Sequence, residues 1–176
     1  MTKLLNFISF AVIIFSSIGL QSCGGNAENL NVGNPAPDFS LQDSNGNSFT
    51  LSDYKGKNPV VVYFYPKAGT PGCTTEACGI RDSFTKFEEN GIIIFGVSVD
   101  SKESIKEFIK DNNLNFPLLS DEKKDVSKSY GVLNAIGLDS RITFIVDKQG
   151  KIANIIRDVD VETHANDVYD LAIKLK

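Results

Sequence analysis

Histidine and cysteine are scarce in this chain: its 176 residues hold one of the first and three of the second. His164, Cys73 and Cys78 do not complete a tetrahedral zinc site, which needs four ligands at recognisable spacing. No Cys-x-x-Cys occurs, which disfavours a thioredoxin-type disulfide reductase. No glycine-rich phosphate loop is present either, and no internal repeat. Positive charge is in deficit, with 18 Lys and Arg against 22 Asp and Glu and a net charge of −4. That balance speaks against nucleic acid and against a basic membrane-binding patch. The lone histidine, far in sequence from Cys73 and Cys78, is expected at the surface.

The first residues are not domain. Lys3 precedes a mostly apolar run over residues 4–20, and Leu20-Gln21-Ser22-Cys23 follows at once. The run is short for a helix crossing roughly 30 Å of hydrocarbon, and small residues precede the cysteine as in a secretory signal. The tetrad resembles the lipobox of bacterial lipoproteins, in which the cysteine receives lipid and becomes the new N-terminus. The alternative is an uncleaved anchor with an incidental cysteine. The expected organisation is a signal peptide over residues 1–22, a polar, glycine-rich tether over 23–33 with Cys23 lipidated, and one domain over 34–176. Such a protein is exported and held to a bacterial membrane, facing the periplasm or the cell exterior. Loss of the signal removes only Lys3 from the charge count, so the acidic balance deepens.

Within the domain only Cys73 and Cys78 remain. An exported domain that used cysteine for stability would normally carry more than one short-range pair. A bridge across four intervening residues restrains little of the unfolded chain. These two cysteines point to chemistry.

The order of elements follows from apolar patterning. Residues 37–41 and 48–51 flank Asp43-Ser44-Asn45-Gly46, an N-terminal hairpin. Residues 59–65 form a continuous apolar run, as a strand buried on both faces should. A helix over 74–90 with Phe84 and Phe87 on one face stops at Gly91. Then come a strand over 92–99, an amphipathic helix over 101–112 with Ile105, Phe108 and Ile109 inward, and a short strand over 116–119. A short helix over 123–130 precedes two strands, 142–146 and 152–156, flanking the turn at Asp147-Lys148-Gln149-Gly150. A helix over 161–176 closes the chain. This is an α/β thioredoxin-like order: a central mixed sheet flanked by helices, with an N-terminal β-hairpin. In such sheets active groups lie at the carboxyl ends of strands.

Cys73 falls there. Thr70-Pro71-Gly72-Cys73-Thr74-Thr75-Glu76-Ala77-Cys78 follows the apolar run and Pro66 directly. The first turn of a helix carries amides without intrahelical partners, and they favour an anion. A thiol placed there loses its proton easily, and the thiolate is the reactive form. Other residues have plainer readings beside functional ones. Thr70 before Pro71 suits an N-cap with proline at N1. Pro66 suits a strand end. Arg141 suits a solvated charge beside a strand. Glu76 suits a favourable acid in a helix's first turn, and Lys67 a solvated one.

The segment from Tyr63 to Asp82, Tyr-Phe-Tyr-Pro-Lys-Ala-Gly-Thr-Pro-Gly-Cys-Thr-Thr-Glu-Ala-Cys-Gly-Ile-Arg-Asp, resembles the peroxiredoxins, in particular the bacterioferritin comigratory protein branch. The family's Pro-x-x-x-Thr/Ser-x-x-Cys pattern stands as Pro66, Thr70 and Cys73, the branch's second cysteine as Cys78, and its arginine segment as Arg141-Ile-Thr-Phe-Ile-Val-Asp147. The resemblance extends from about residue 34 to the C-terminus. A signal and a lipid-type cysteine are unusual for this branch.

The resemblance implies a thiol peroxidase with no cofactor and no metal. Cys73 would attack a hydroperoxide and become a sulfenic acid, and Cys78 would resolve it as a Cys73–Cys78 disulfide. A thioredoxin-like dithiol donor would then reduce that disulfide. Thr70, Gly72, Cys73 and Arg141 would bind the peroxide, and Pro66 would shield the sulfur from water. The branch is usually monomeric. A cysteine of ordinary acidity is roughly 3% thiolate at pH 7. Full ionisation therefore gains about 30-fold, or about 2 kcal/mol, where enzymes typically supply ~8 kcal/mol or more. The rest must come from holding the peroxide in line and stabilising the departing oxygen. Residues five apart in an intact helix have Cα atoms roughly 8–9 Å apart, beyond the ~7 Å limit of a disulfide. Resolution by Cys78 therefore requires local unwinding. A rival function is a lipid-anchored redox sensor without efficient turnover, using the same thiols.

Overall fold

The structure is a computed structural model describing residues 30–176; the expected signal peptide, Cys23 and most of the expected tether lie outside the described residues. Strand β3 (Val60–Phe64) is buried along its whole length. It lies between a parallel β4 (Ile93–Ser98) and an antiparallel β6 (Ile142–Val146). Alternate residues face opposite sides. Val61 and Tyr63, with Tyr65 just beyond, pack under α1 (Pro71–Glu89), α2 (Lys102–Asn112) and α4 (His164–Ala172). Val60, Val62 and Phe64 face a second cluster with Phe39, Tyr130 and Phe144. Each large apolar side chain so buried contributes ~1.5–3 kcal/mol.

Around this centre the sheet is completed by β1 (Ser40–Asp43), β2 (Ser48–Thr50), β5 (Leu118–Ser120) and β7 (Ile152–Ile156). The spatial order is β2-β1-β5-β4-β3-β6-β7. The N-terminal hairpin is thus an extension of the sheet, with β1 antiparallel to β5. The thioredoxin-like mixed sheet expected from the sequence is what forms.

Several boundaries depart from expectation. Helix α1 starts at Pro71, three residues earlier than expected, because proline is pre-set for the first helical position. It ends as anticipated at Gly91 (φ 63°), where the Ile92 and Gly91 amides bond back to the Phe87 and Glu88 carbonyls. Strand β5 lies later than expected, pairing Leu118–Ser120 with Gly96–Ser98, since Pro117 has no amide to donate. The short helix α3 covers only Asp125–Ser129, entered through Lys124 at φ 64°. The last helix begins at His164, and Ile173–Leu175 form a 3-10 turn. The end of the expected tether is part of the domain: Gly33 N donates to the Ile152 carbonyl, Ile152 N to that of Asn34, and Pro35 pairs with Lys151.

Candidate active site

Strand β3 delivers the chain to the site. At its carboxyl end Tyr65 N bonds to the Val97 carbonyl, and Ala68 N to Asp100 Oδ2 at 2.8 Å. The loop is therefore pinned to the end of β4. Gly69 turns it at φ 75°, Thr70 occupies the N-cap, and α1 begins. Cys73 is the third residue of the helix. The amides of Gly72 and Cys73 have no carbonyl within the helix to receive them, the Thr74 amide being the first to do so, at Thr70 O (2.9 Å).

Arg141 arrives from the opposite direction. Strand β6 runs antiparallel to β3 with Ile142 opposite Phe64, which sets Arg141 beside the start of the loop. Its Nη2 donates to Cys73 Sγ at 3.3 Å, and its Nη1 pairs with Glu76 Oε2. Cys73 is 1% exposed. Burial opposes the Arg141 charge, yet Glu76 and Cys73 together outweigh it and push its pKa above the ordinary guanidinium value. A side chain at Gly72 would stand 3.4 Å from Arg141 Nη2. Glycine there leaves the guanidinium its place.

Thr70 is not a side-chain N-cap. Its Oγ1 donates to the Lys67 carbonyl at 3.0 Å and makes no capping bond. With its proton committed backwards, the oxygen keeps its acceptor lone pairs. Pro66 is half-buried directly after Tyr65, and Lys67 is exposed. Cys78 is half-buried on the same unbroken helix as Cys73, and both thiols are free. The fold thus joins Cys73, Gly72 and Arg141 directly, sets Thr70 and Pro66 on the adjoining loop, and leaves Cys78 one and a half turns along.

Two readings are corrected. Glu76 is not a first-turn acid: with the helix beginning at Pro71 it falls in the second turn and points inward, 0% exposed. His164 is not a surface residue but 1% exposed. It starts α4 where that helix lies on α1, with Ala165 against Gly79. His164 Nδ1 is 3.0 Å from Glu76 Oε1, off the line of a straight hydrogen bond, and neither atom has another hydrogen-bond partner. His164 Nε2 lies 2.8 Å from Thr143 Oγ1. Periodicity held the missing signals. Glu76 shares the spacing of Cys73, Ala77 and Ile80, and His164 that of Ala165, Val168 and Ala172, the buried faces of their helices.

The AhpC/TSA family pattern matches residues 32–155. The chain is 39% identical over 142 residues to peroxiredoxin Bcp of Escherichia coli K12, covering 77% of this chain and 90% of that protein. It is 43% identical over 147 residues to the chloroplastic peroxiredoxin Q of Sedum lineare, covering 82% and 78% respectively. Its structure superposes on that of peroxidoxin BcpB from Mycobacterium tuberculosis with a TM-score of 0.77 at 32% identity, over 84% of this chain and 99% of that one. A buried cysteine at a helix start, gripped by an arginine from the neighbouring strand, stands in a chain that belongs to the AhpC/TSA family and is a peroxiredoxin, a thiol peroxidase.

Proposed function

We propose that the protein reduces hydrogen peroxide and organic hydroperoxides through Cys73, with Cys78 as resolving thiol and a thioredoxin-like dithiol as donor. The observation that carries this reading is the Arg141 guanidinium shared between Cys73 Sγ and Glu76. A cation hydrogen-bonded to sulfur favours the thiolate and stands ready for the charge that develops on the leaving oxygen. The thiolate attacks the outer oxygen of R–O–O–H, the S–O bond forms as O–O breaks, and the alkoxide takes a proton to leave as alcohol or water. Cys73 is left as sulfenic acid. Thr70 Oγ1, its own proton given to Lys67 O, accepts the peroxide O–H. The Gly72 and Cys73 amides donate to the peroxide oxygens, and Pro66 walls the sulfur from water.

Cys78 then attacks the sulfenic sulfur, water leaves, and the disulfide forms after the first turns of α1 open. Two electrons from the dithiol donor restore both thiols. The lipobox-like tetrad supports export and lipid attachment at Cys23, with the domain facing the periplasm or exterior as a monomer. In that oxidising space the donor must itself draw electrons across the membrane.

Peroxide consumption with a thioredoxin donor tests the reading. Cys73→Ser is expected to be inactive, and Cys78→Ser to react once and cycle poorly. Full turnover by Cys73→Ser would overturn it. A protein that reacts once but never cycles with any dithiol donor would be a sensor instead. Incorporation of a labelled fatty acid that survives Cys23→Ser would overturn the anchor.

A further inference from the structure

We propose that His164 is a positioning residue of the peroxidase centre: acting through Glu76, it holds the Arg141 guanidinium against Cys73. The inference rests on the peroxidase reading and adds to it a residue from the far end of the chain.

The argument starts from the shape of the guanidinium. It is a rigid planar fork, so fixing Nη1 on Glu76 also fixes where Nη2 meets Cys73 Sγ. The arginine is then only as well placed as Glu76. A carboxyl group held through one oxygen still turns about its terminal torsion, which has broad wells. Glu76 Oε2 is taken by Arg141; Oε1 has His164 Nδ1 at 3.0 Å and no other partner. The imidazole thus stands as the one polar neighbour of the second oxygen, packed close enough to resist turning of the carboxyl.

His164 is itself held. Its Nε2 meets Thr143 Oγ1 at 2.8 Å, and Tyr63 sets the edge of the ring with centroids 5.8 Å apart at 71°. With the Thr143 hydroxyl donating to Nε2, the ring proton falls on Nδ1, on the Glu76 side of the ring but out of line with Oε1, so the contact is a close polar approach and not a straight hydrogen bond. Thr143 lies on β6 and Arg141 just before its first residue, two positions back along the chain. The contacts therefore close a ring, from Arg141 to Glu76, His164, Thr143 and back along β6 to Arg141. It ties α1, α4 and β6 into one frame around the sulfur. All but the Arg141 end is sealed from solvent, so a lost partner is not replaced by water and leaves a buried polar group unpaired.

The test measures single-turnover reaction of the reduced protein with hydroperoxide. His164→Leu is expected to slow it roughly 10–100-fold, the usual cost of a misplaced catalytic group. His164→Asn, whose amide N–H can stand where Nδ1–H stood, is expected to recover most of the rate, and His164→Gln, which reaches further, much less. On a Glu76→Gln background His164→Leu is expected to cost under about 2-fold, because the histidine acts only through that carboxylate. Independent losses that multiply, or Asn and Gln variants of equal rate, would overturn the proposal; the polar pair decides the matter even if the leucine variant fails to fold. The Arg141 guanidinium N–H resonances give a readout free of turnover. They are expected to be resolved in the wild type and His164→Asn, and averaged by free rotation in His164→Leu. That pattern in a wild type that consumes no peroxide would sink the peroxidase reading and leave the positioning intact, whereas active wild type with unaltered resonances in His164→Leu would do the reverse.

Discussion

Arg141 bonds two partners through one flat group, and a lysine has no equivalent geometry. An ammonium keeps the charge but is a point donor, and cannot hold Glu76 and Cys73 Sγ in fixed register. Arg141→Lys is therefore expected to lower the second-order rate of the reduced protein with peroxide by about 100-fold, the scale of losing one preorganised donor. Stopped-flow measurement checks it; a near-normal rate would mean that charge alone suffices. At this scale the sequence was legible in part. Cys73, Thr70, Pro66 and Arg141 are visible in motif and spacing. Glu76 and His164 were not, because a polar residue read locally defaults to solvent, and what buries these two is the docking of α4 on α1 over more than eighty residues of separation. Their positions among apolar neighbours at helical spacing carried the information.

Helix α1 must be firm to form the site and must open to complete the cycle, and its fastenings divide it. Beyond Cys78, Arg81 Nη1 donates to the Asn112 carbonyl at 2.7 Å, and Asn115 Nδ2 to the Arg81 carbonyl at 3.3 Å. Further on, Phe87 sits edge-on to Tyr169 and Lys86 lies over the same ring. The opening that lets Cys78 reach Cys73 is expected to stop near Arg81. Hydrogen exchange compares the two states: in the oxidised protein, amides 74–80 are expected to lose protection and those from 84 onward to keep it. Equal protection of 74–80 in both states would count against the disulfide. Elements with strong local patterning, such as β3, β6, β7 and α2, were legible nearly to the residue. The place of β5, an interior strand set by proline chemistry, was not, and the start of α1 showed only in the Thr70-Pro71 capping signal. In each, the deciding term was which backbone amide had a partner, and apolar patterning is silent on that.

For the molecule as a whole, one group outside the site sets a dependence on pH. Asp139 is 0% exposed, on the segment leading into Arg141. Burial pushes its carboxyl up from the ordinary 3.8 to about 7; Asp121 and Asp100 push the same way, while Ser127 and Lys124 oppose. Nothing in the sequence distinguished Asp139, because three carboxylates spread over forty residues converge only when β4, β5 and the 133–141 loop come together. The sign follows from proton counting. Between about pH 4 and pH 7 the folded protein keeps a proton on Asp139 that the unfolded chain has released, so stability falls as pH rises through that window. Above about 7 the carboxyl is ionised in both states and the loss is complete, on the order of 4 kcal/mol at most. Asp139→Asn carries a neutral group of the same shape at every pH. It is expected to match the wild type near pH 4 and to exceed it in urea midpoint at pH 8. Every other titrating group is common to both proteins and cancels in the difference. Parallel curves for the two proteins from pH 4 to 8 would show that Asp139 ionises in the folded state as freely as in the unfolded.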